Sequence, residues 1–325
     1  MPKTYISDFE VGTPVRTSLM VRRKRLRQGQ RGYFLELRLG DRTGEIEAKV
    51  WDNAPALAEE FEEFDVIAIE GQVEEWRDAP QLRIVKLRRL AESEVDLTDF
   101  LPRGEKDGEA LWQRLQQTIA SIGDAHLRGL LETIFADPEM ARAFRLTPAA
   151  KALHHAYLGG LLEHTDEVVT LAEALAGVFP QVNRDLLVTA AILHDIGKTR
   201  ELQYARAIDY TDAGRLVGHV VMGERMVSAA ADAAPGFPPE LKLQLSHALL
   251  SHHGQREFGA PTVPQTVEAI ALHHVEDLGA KVKHFLEVLD KQTDATRAWS
   301  DYDKLYERYL YRRPVGEPEN GDPDD

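Results

Sequence analysis

The strongest chemical signal in the chain is Leu193-His194-Asp195-Ile196-Gly197-Lys198. An imidazole followed by a carboxylate offers one nitrogen and one oxygen donor, a set that suits a divalent cation of intermediate hardness. The pair ends the apolar run Leu186–Leu193, and Gly197 behind it reads as a helix terminator. Taken alone, a His-Asp dipeptide is equally a histidine in a favourable place at a helix C-terminus. The remaining histidines change that balance. His164 lies 30 residues before His194, His219 lies 24 after Asp195, His252 and His253 follow His219 by 33 and 34, and Asp277 comes 24 after His253. Each falls on or at the end of a separate predicted helix. Buried helices do not ordinarily carry so many titratable side chains without a common partner. Lys198, just past the His-Asp pair, is placed to meet a phosphate oxygen as a point charge, against the plainer role of a helix-terminal cation.

Composition narrows what such a site can be. The 325 residues include no cysteine, which excludes disulfides, thiolate catalysis and cysteine-ligated metals, so any metal rests on His, Asp or Glu. All 12 histidines lie beyond residue 120. No apolar run approaches the ~20 residues of a membrane span, and the N-terminus lacks a signal-peptide core, so a cytoplasmic protein without a membrane partner is expected.

The elements that must position these groups fall into two kinds. Residues 1–91 read as strands: Val15, Thr17, Leu19 and Val21 alternate, as do Leu35, Leu37 and Leu39, then Ile46, Ala48 and Val50. Asp41-Arg42-Thr43-Gly44 has hairpin-turn chemistry. Val66–Val73 and Leu82–Leu87 are two more strands, and Pro55–Phe64 before them a short helix. Five strands with a helix between the third and fourth give an all-β OB-fold barrel. Residues 92–107 have no sustained period and read as a linker. From 108 to 313 apolar residues recur at helical spacing in Leu111–Ile122, Leu127–Phe135, Leu158–Phe179, Arg184–Ile196, Gly214–Ala234, Glu240–Leu250, Thr266–Asp290 and Trp299–Tyr311, which predicts an all-α bundle. The last of these, rich in tyrosine, serves as core or as a homo-oligomer contact. Residues 314–325, with five acids and three prolines, read as an acidic disordered tail.

Charge is sorted along this two-domain chain. Lys and Arg number 39 and Asp and Glu 54, a net −15, yet residues 1–90 hold 16 of each sign. Within them Arg22, Arg23, Lys24, Arg25, Arg27 and Arg31 form a block without an acid, at the end of the first strand and in the loop before the second. In an OB-fold that loop borders the oligonucleotide face, where cations release counterions from phosphates. Tyr33, Phe34, Trp51 and Trp76 are candidate stacking platforms for bases, with barrel filling as the alternative for Phe34 and Trp51.

The order His, His-Asp, His, His-His, Asp on successive helices resembles the HD-domain metal-dependent phosphohydrolases. The combination of Phe34–Asp52 (FLELRLGDRTGEIEAKVWD), His154–Thr165 (HHAYLGGLLEHT) and LHDIGK is similar to the YhaM-type 3′-5′ exoribonuclease family, from about Tyr5 to Arg313. The resemblance implies an OB-fold that holds single-stranded RNA, with single-stranded DNA a second candidate, and an HD domain that hydrolyses phosphodiesters with a metal-activated water. It implies one or two divalent ions, Mn²⁺ first and Fe²⁺ or Mg²⁺ as alternatives. His164, His194, Asp195 and Asp277 would hold the first; Asp195 would bridge to a second on His219, His252 and His253. His247, His273 and His274 compete for the second site, and His154 and His155 belong to the motif without a ligand role. His126 and His284 read as structural or surface residues. Asp195 and Lys198 are the expected catalytic residues. Two other readings stay open: an HD phosphohydrolase of nucleotides or cyclic nucleotides, and a non-catalytic nucleic-acid-binding regulator. The run His252–Pro261 lacks the acidic and tyrosine pattern of the cyclic-dinucleotide HD enzymes.

Overall fold

Alternation of inward and outward residues closes the N-terminal strands into a barrel. The computed structural model describes the chain apart from residues 1–2, 31, 78, 102–103, 105, 152–154, 205–207, 291–296 and 313–325. Strands β1 (Pro14–Gly29), β2 (Gly32–Asp41), β3 (Gly44–Val50), β4 (Val66–Trp76) and β5 (Ala79–Arg89) form a closed barrel in the order β1-β2-β3-β5-β4, with helix α1 (Ala54–Ala58) after β3. Only β3 and β5 pair in parallel. Leu35↔Val50, Leu37↔Ala48 and Leu39↔Ile46 face inward and are buried, whereas Glu36↔Lys49 and Arg38↔Glu47 face outward. At the β2–β3 turn, Asp41 Oδ1 accepts from Thr43 N at 2.7 Å, so the carboxylate supplies the turn's bond. The basic block lies in β1 rather than in a loop, since β1 and β2 stay paired to Gly29↔Gly32.

The segment after the barrel is docked, not loose. Phe100 is buried against Met20 and Val66, its carbonyl accepts from Arg22 Nη2 at 2.6 Å, and the Asp99 carbonyl accepts from Arg42 N at 2.8 Å.

The helical part comprises α2 (Gly108–Ala120), α3 (Ala125–Ala136), α4 (Pro138–Leu146), α5 (Gly160–Val178), α6 (Arg184–Leu193), α7 (Lys198–Glu201), α8 (Asp212–Val217), α9 (His219–Ala233), α10 (Pro239–Ser251) and α11 (Val267–Asp290) among the described residues. A two-residue antiparallel pair, β6 (Leu202–Gln203) with β7 (Asp209–Tyr210), interrupts them. Helix α6 is buried at every position from Leu186 to Leu193, so it is the axis of the bundle and its C-terminal end opens into the interior. Helices α5, α10 and α11 pack around it.

Three departures from the sequence reading have local causes. Helix α4 was not foreseen; Asp137 caps it through Glu139 N and Pro138 starts it. The predicted helix Gly214–Ala234 breaks into α8 and α9 at Gly218, where φ is 78°. Trp299–Tyr311 is not helical: Trp299 pairs with Tyr311 and Asp303 with Arg308 in an antiparallel turn. There Asp303 Oδ1 accepts from Tyr306 N at 2.7 Å, a side-chain bond that competes with helical pairing. The acidic tail, Arg31 and His154 lie outside the described residues.

Candidate metal centre

The end of α6 delivers His194 and Asp195 into the middle of the bundle, where both are buried. Gly197 follows in helical geometry (φ −60°), so it does not terminate the helix by a left-handed turn. Its role is close approach: a Cβ there would stand 2.0 Å from the His219 carbonyl and 2.7 Å from Gly223 N. The absent side chain lets the first turn of α9, and with it His219, reach Asp195. His164 comes from the first half of α5, and His252 and His253 from the end of α10.

Second partners fix the rings. His194 Nδ1 donates to the Ala191 carbonyl (2.8 Å), His252 Nδ1 to Leu249 (2.7 Å) and His253 Nδ1 to Phe258 (2.8 Å). His219 Nδ1 donates to Glu201 Oε1 at 2.9 Å. A ring that donates from Nδ1 keeps its lone pair on Nε2 when neutral, the usual arrangement of a metal-ligating histidine.

The Nε2 atoms of His164, His194, His219 and His252 surround one carboxylate. Asp195 Oδ2 lies 3.5 Å from His164 Nε2 and 3.4 Å from His194 Nε2; Oδ1 lies 3.4 Å from His219 Nε2 and 3.8 Å from His252 Nε2. Asp195 Oδ1, His219 Nε2 and His252 Nε2 are buried without a hydrogen-bond partner. Orphaned buried polar atoms cost about 1–3 kcal/mol each, so their convergence calls for a shared partner. Donors ~2.0–2.2 Å from a cation stand about 3–3.6 Å apart, close to the spacing seen here. The set divides into His164, His194 and Asp195 on one side and His219, His252 and His253 on the other, each with ligand atoms within 4.8 Å of one another. The donors therefore fit divalent cations.

Electrostatics keeps the groups ready to bind. Burial pushes the His164 and His252 imidazoles well below their ordinary range, and burial with the nearby His219 holds His253 at about 4. These rings are neutral at pH 7. Burial works against the ionised Asp195, yet the Lys198 ammonium and His194 hold its carboxyl well below the carboxylate range. Lys198 Nζ donates to Asp195 Oδ2 at 2.6 Å. Burial raises Glu201 as well, but the bonds from His219 bring it below normal.

Asp277 is not brought into this set: its Oδ2 accepts from Lys281 at 2.7 Å, one turn along α11. The preceding residue, Glu276, follows the buried Leu272 by one turn and shares its inner face. Burial pushes its carboxyl up to about 7, and His194, Asp195 and Lys198 are the charges that act on it most strongly. The sequence reading missed Glu276, although its spacing from Ala269 and Leu272 marked the inward face. His247 accepts from Gln265 N at 2.8 Å, His273 Nδ1 donates to the His252 carbonyl at 2.9 Å, and His274 is exposed. His155 is buried between Tyr157 and Glu167, His126 packs on Phe237, and His284 bonds Asp303.

The barrel's outer face carries the aromatics. Phe34 and Trp51 stack at 4.8 Å, outside the barrel rather than filling it, and Trp51 and Trp76 are about half exposed. Lys49 Nζ lies 5.1 Å from the Trp76 ring and 5.7 Å from Trp51. Alternation along β1 places Arg23, Arg25 and Arg27 on this side, opposite Arg38, Glu36 and Phe34. Arg23 and Arg25 are exposed and form no ion pair among the described residues, while Arg27 pairs with Glu36 at 3.0 Å. Arg22 and Lys24 turn the other way: Arg22 holds the Phe100 carbonyl, and Lys24 Nζ donates to the carbonyls of Ala58 and Phe61. These two serve the fold. Tyr33 is exposed and lies on the face of β2 opposite Phe34.

Residues 161–291 match the HD domain family, and residues 15–90 match the OB-fold nucleic acid binding domain family. The chain is 32% identical over 288 residues to the 3′-5′ exoribonuclease YhaM of Geobacillus sp. (strain WCH70), covering 88% of each. Among solved structures, the second OB-fold domain of replication protein A from Methanococcus maripaludis is 19% identical, covering 27% of this chain and 95% of that one with a TM-score of 0.24. The p204 HINb domain is 22% identical, covering 27% and 47% with a TM-score of 0.24.

Proposed function

The chain belongs to the YhaM-type 3′-5′ exoribonuclease family and is a metal-dependent nuclease of the hydrolase class; from that premise we propose that it shortens single-stranded RNA from the 3′ end, with the barrel holding the strand and the helical domain cutting it. Single-stranded DNA is the second substrate to test. The observation that carries this reading is the position of the Asp195 carboxylate, one oxygen beside His164 and His194 and the other beside His219 and His252.

In this reading His164, His194, Asp195 and Glu276 would hold one divalent ion, and Asp195, His219, His252 and His253 would hold a second, with Mn²⁺ the first candidate. Glu276 takes the place the sequence reading gave to Asp277. When bound, the ions supply a water of lowered pKa and positive charge at the phosphate. Glu201 orients the His219 ring, and backbone carbonyls orient His194, His252 and His253. Lys198 holds its ammonium beside Asp195, where it can neutralise a non-bridging phosphate oxygen. On the barrel, Phe34, Trp51 and Trp76 take bases by stacking, and Arg23, Arg25 and Lys49 take phosphates, a sequence-tolerant combination.

The test is incubation of 5′-labelled single-stranded RNA with the protein and Mn²⁺, beside chelator and Asp195→Asn controls. A ladder shortening from the 3′ end, absent from both controls, is expected. Intact RNA with hydrolysis of nucleotides or cyclic dinucleotides overturns the RNA reading, and a gel shift without products overturns catalysis.

A further inference from the structure

The connection between barrel and bundle is anchored at both ends. On the barrel side, Asp99 and Phe100 are held by Arg42 and Arg22, and the Lys3 ammonium lies 3.4 Å from the Phe100 ring centroid. On the bundle side, Lys106 Nζ lies 2.7 Å from Glu167 Oε1 and 3.3 Å from Glu163 Oε1. Lys283, from α11, reaches the same two oxygens at 3.6 and 3.4 Å. Glu163 is buried and immediately precedes His164. Gly104 packs so closely that a Cβ would stand 2.6 Å from Glu163 Oε2 and 2.7 Å from the Tyr157 ring. His155 ties Tyr157 to Glu167, with contacts of 2.8 and 3.0 Å, and its ring centroid is 5.7 Å from that of His164.

From Leu101 to Gly104 there are three peptide steps, at most about 11 Å of extended chain. A connection this short between two docked ends does not let the barrel swing as a free body. Its bundle anchor sits on the turn of α5 that carries His164. An exonuclease needs the strand held on one domain to arrive at the other in register, since small misplacements of a substrate cost large factors in rate.

We propose that Lys106 is a positioning residue: by clamping the connector to Glu163 and Glu167, it fixes the barrel relative to the metal centre and couples strand holding to cleavage. This rests on the exoribonuclease reading. Lys106 touches no residue assigned to the metals or the strand, so its removal separates coupling from chemistry.

The experiment compares wild type with Lys106→Met, Lys106→Arg and Gly104→Leu. Lys106→Met and Gly104→Leu are expected to lower kcat/KM on a 20-nucleotide RNA at least tenfold. Binding of that RNA in excess chelator, and Mn²⁺ affinity by calorimetry, stay within twofold. Small-angle scattering shows a larger radius of gyration, and Lys106→Arg restores both activity and shape. Full RNA cleavage by Lys106→Met overturns the proposal, as does a parallel fall in Mn²⁺ affinity, which would make the residue a support of the site itself. If the wild type leaves RNA uncut, the exoribonuclease reading fails, and scattering decides the connector alone: unchanged profiles for both variants overturn the clamp.

Discussion

The Nε2 atoms of His164 and His194 stand 3.1 Å apart in the buried centre of the bundle. His194 already donates from Nδ1 to Ala191 and burial keeps His164 neutral, while the Asp195 carboxylate outweighs burial and favours the protonated His194, so the two imidazoles crowd on at most one shared proton beside that carboxylate. A shared cation relieves that arrangement. Chelator-treated protein is therefore expected to gain stability when Mn²⁺ is added, by about 2.7 kcal/mol at a hundredfold excess over Kd. Thermal denaturation with and without Mn²⁺ checks this, and His164→Gln should abolish the rise.

The carboxylates of α11 make a sharper comparison. Glu276 faces the cluster, whereas Asp277 is engaged by Lys281. Glu276→Ala is expected to cut RNA cleavage about 10²-fold or more, the loss typical of a displaced metal ligand or its support. Asp277→Asn should stay within about twofold, as suits a surface pair worth under ~1 kcal/mol. Metal content of the two purified variants separates the two carboxylates without an activity assay: it should fall for Glu276→Ala and hold for Asp277→Asn.

That adjacent pair shows what could be read from the sequence. The His-Asp dipeptide, His164, His219 and the His252–His253 pair were legible because imidazoles recur on or at the ends of successive helices and the run from Leu186 to Leu193 is apolar but for Thr189. The choice between Glu276 and Asp277 turned on helix phase: both lie near the inward stripe, and only the packing of Ala269 and Leu272 sets which one points in. The barrel was legible from period-two alternation. The turn at Trp299–Tyr311 was not, because aromatic spacing there satisfies a helix equally well and the deciding bond is made by the Asp303 side chain. The docking of Phe100 was hidden for another reason, since a single buried aromatic in an aperiodic stretch carries no pattern.

On the barrel, the two faces of β1 predict different losses. Trp51→Ala and Trp76→Ala are each expected to weaken RNA binding by about 1–3 kcal/mol, the worth of a stacked base. Arg25→Ala should lower affinity uniformly across sequences and reduce the magnitude of the salt slope by about 0.7. Arg22→Ala should leave the salt slope unchanged and destabilise the protein, because its guanidinium holds the Phe100 carbonyl. Fluorescence anisotropy across a salt series, with a denaturation curve for each variant, separates the two classes.

Acid should loosen the same cluster that anchors the connector. Burial disfavours ionised Glu167, but hydrogen bonds from His155 and Lys106 outweigh it and hold the carboxyl at about 2, against an ordinary 4.5. A carboxyl whose folded pKa is depressed stabilises the fold fully above its unfolded pKa, and that stabilisation disappears as pH falls toward the folded value. The contribution is on the order of 3 kcal/mol at pH 7 and is lost between about pH 5 and pH 2. Glu167→Gln removes the titrating group, so the stability gap between wild type and variant should be widest at pH 7 and shrink steadily below pH 5. Urea denaturation at pH 7, 5 and 3.5 measures it. A gap that stays constant across that range would mean that Glu167 contributes by packing rather than by charge.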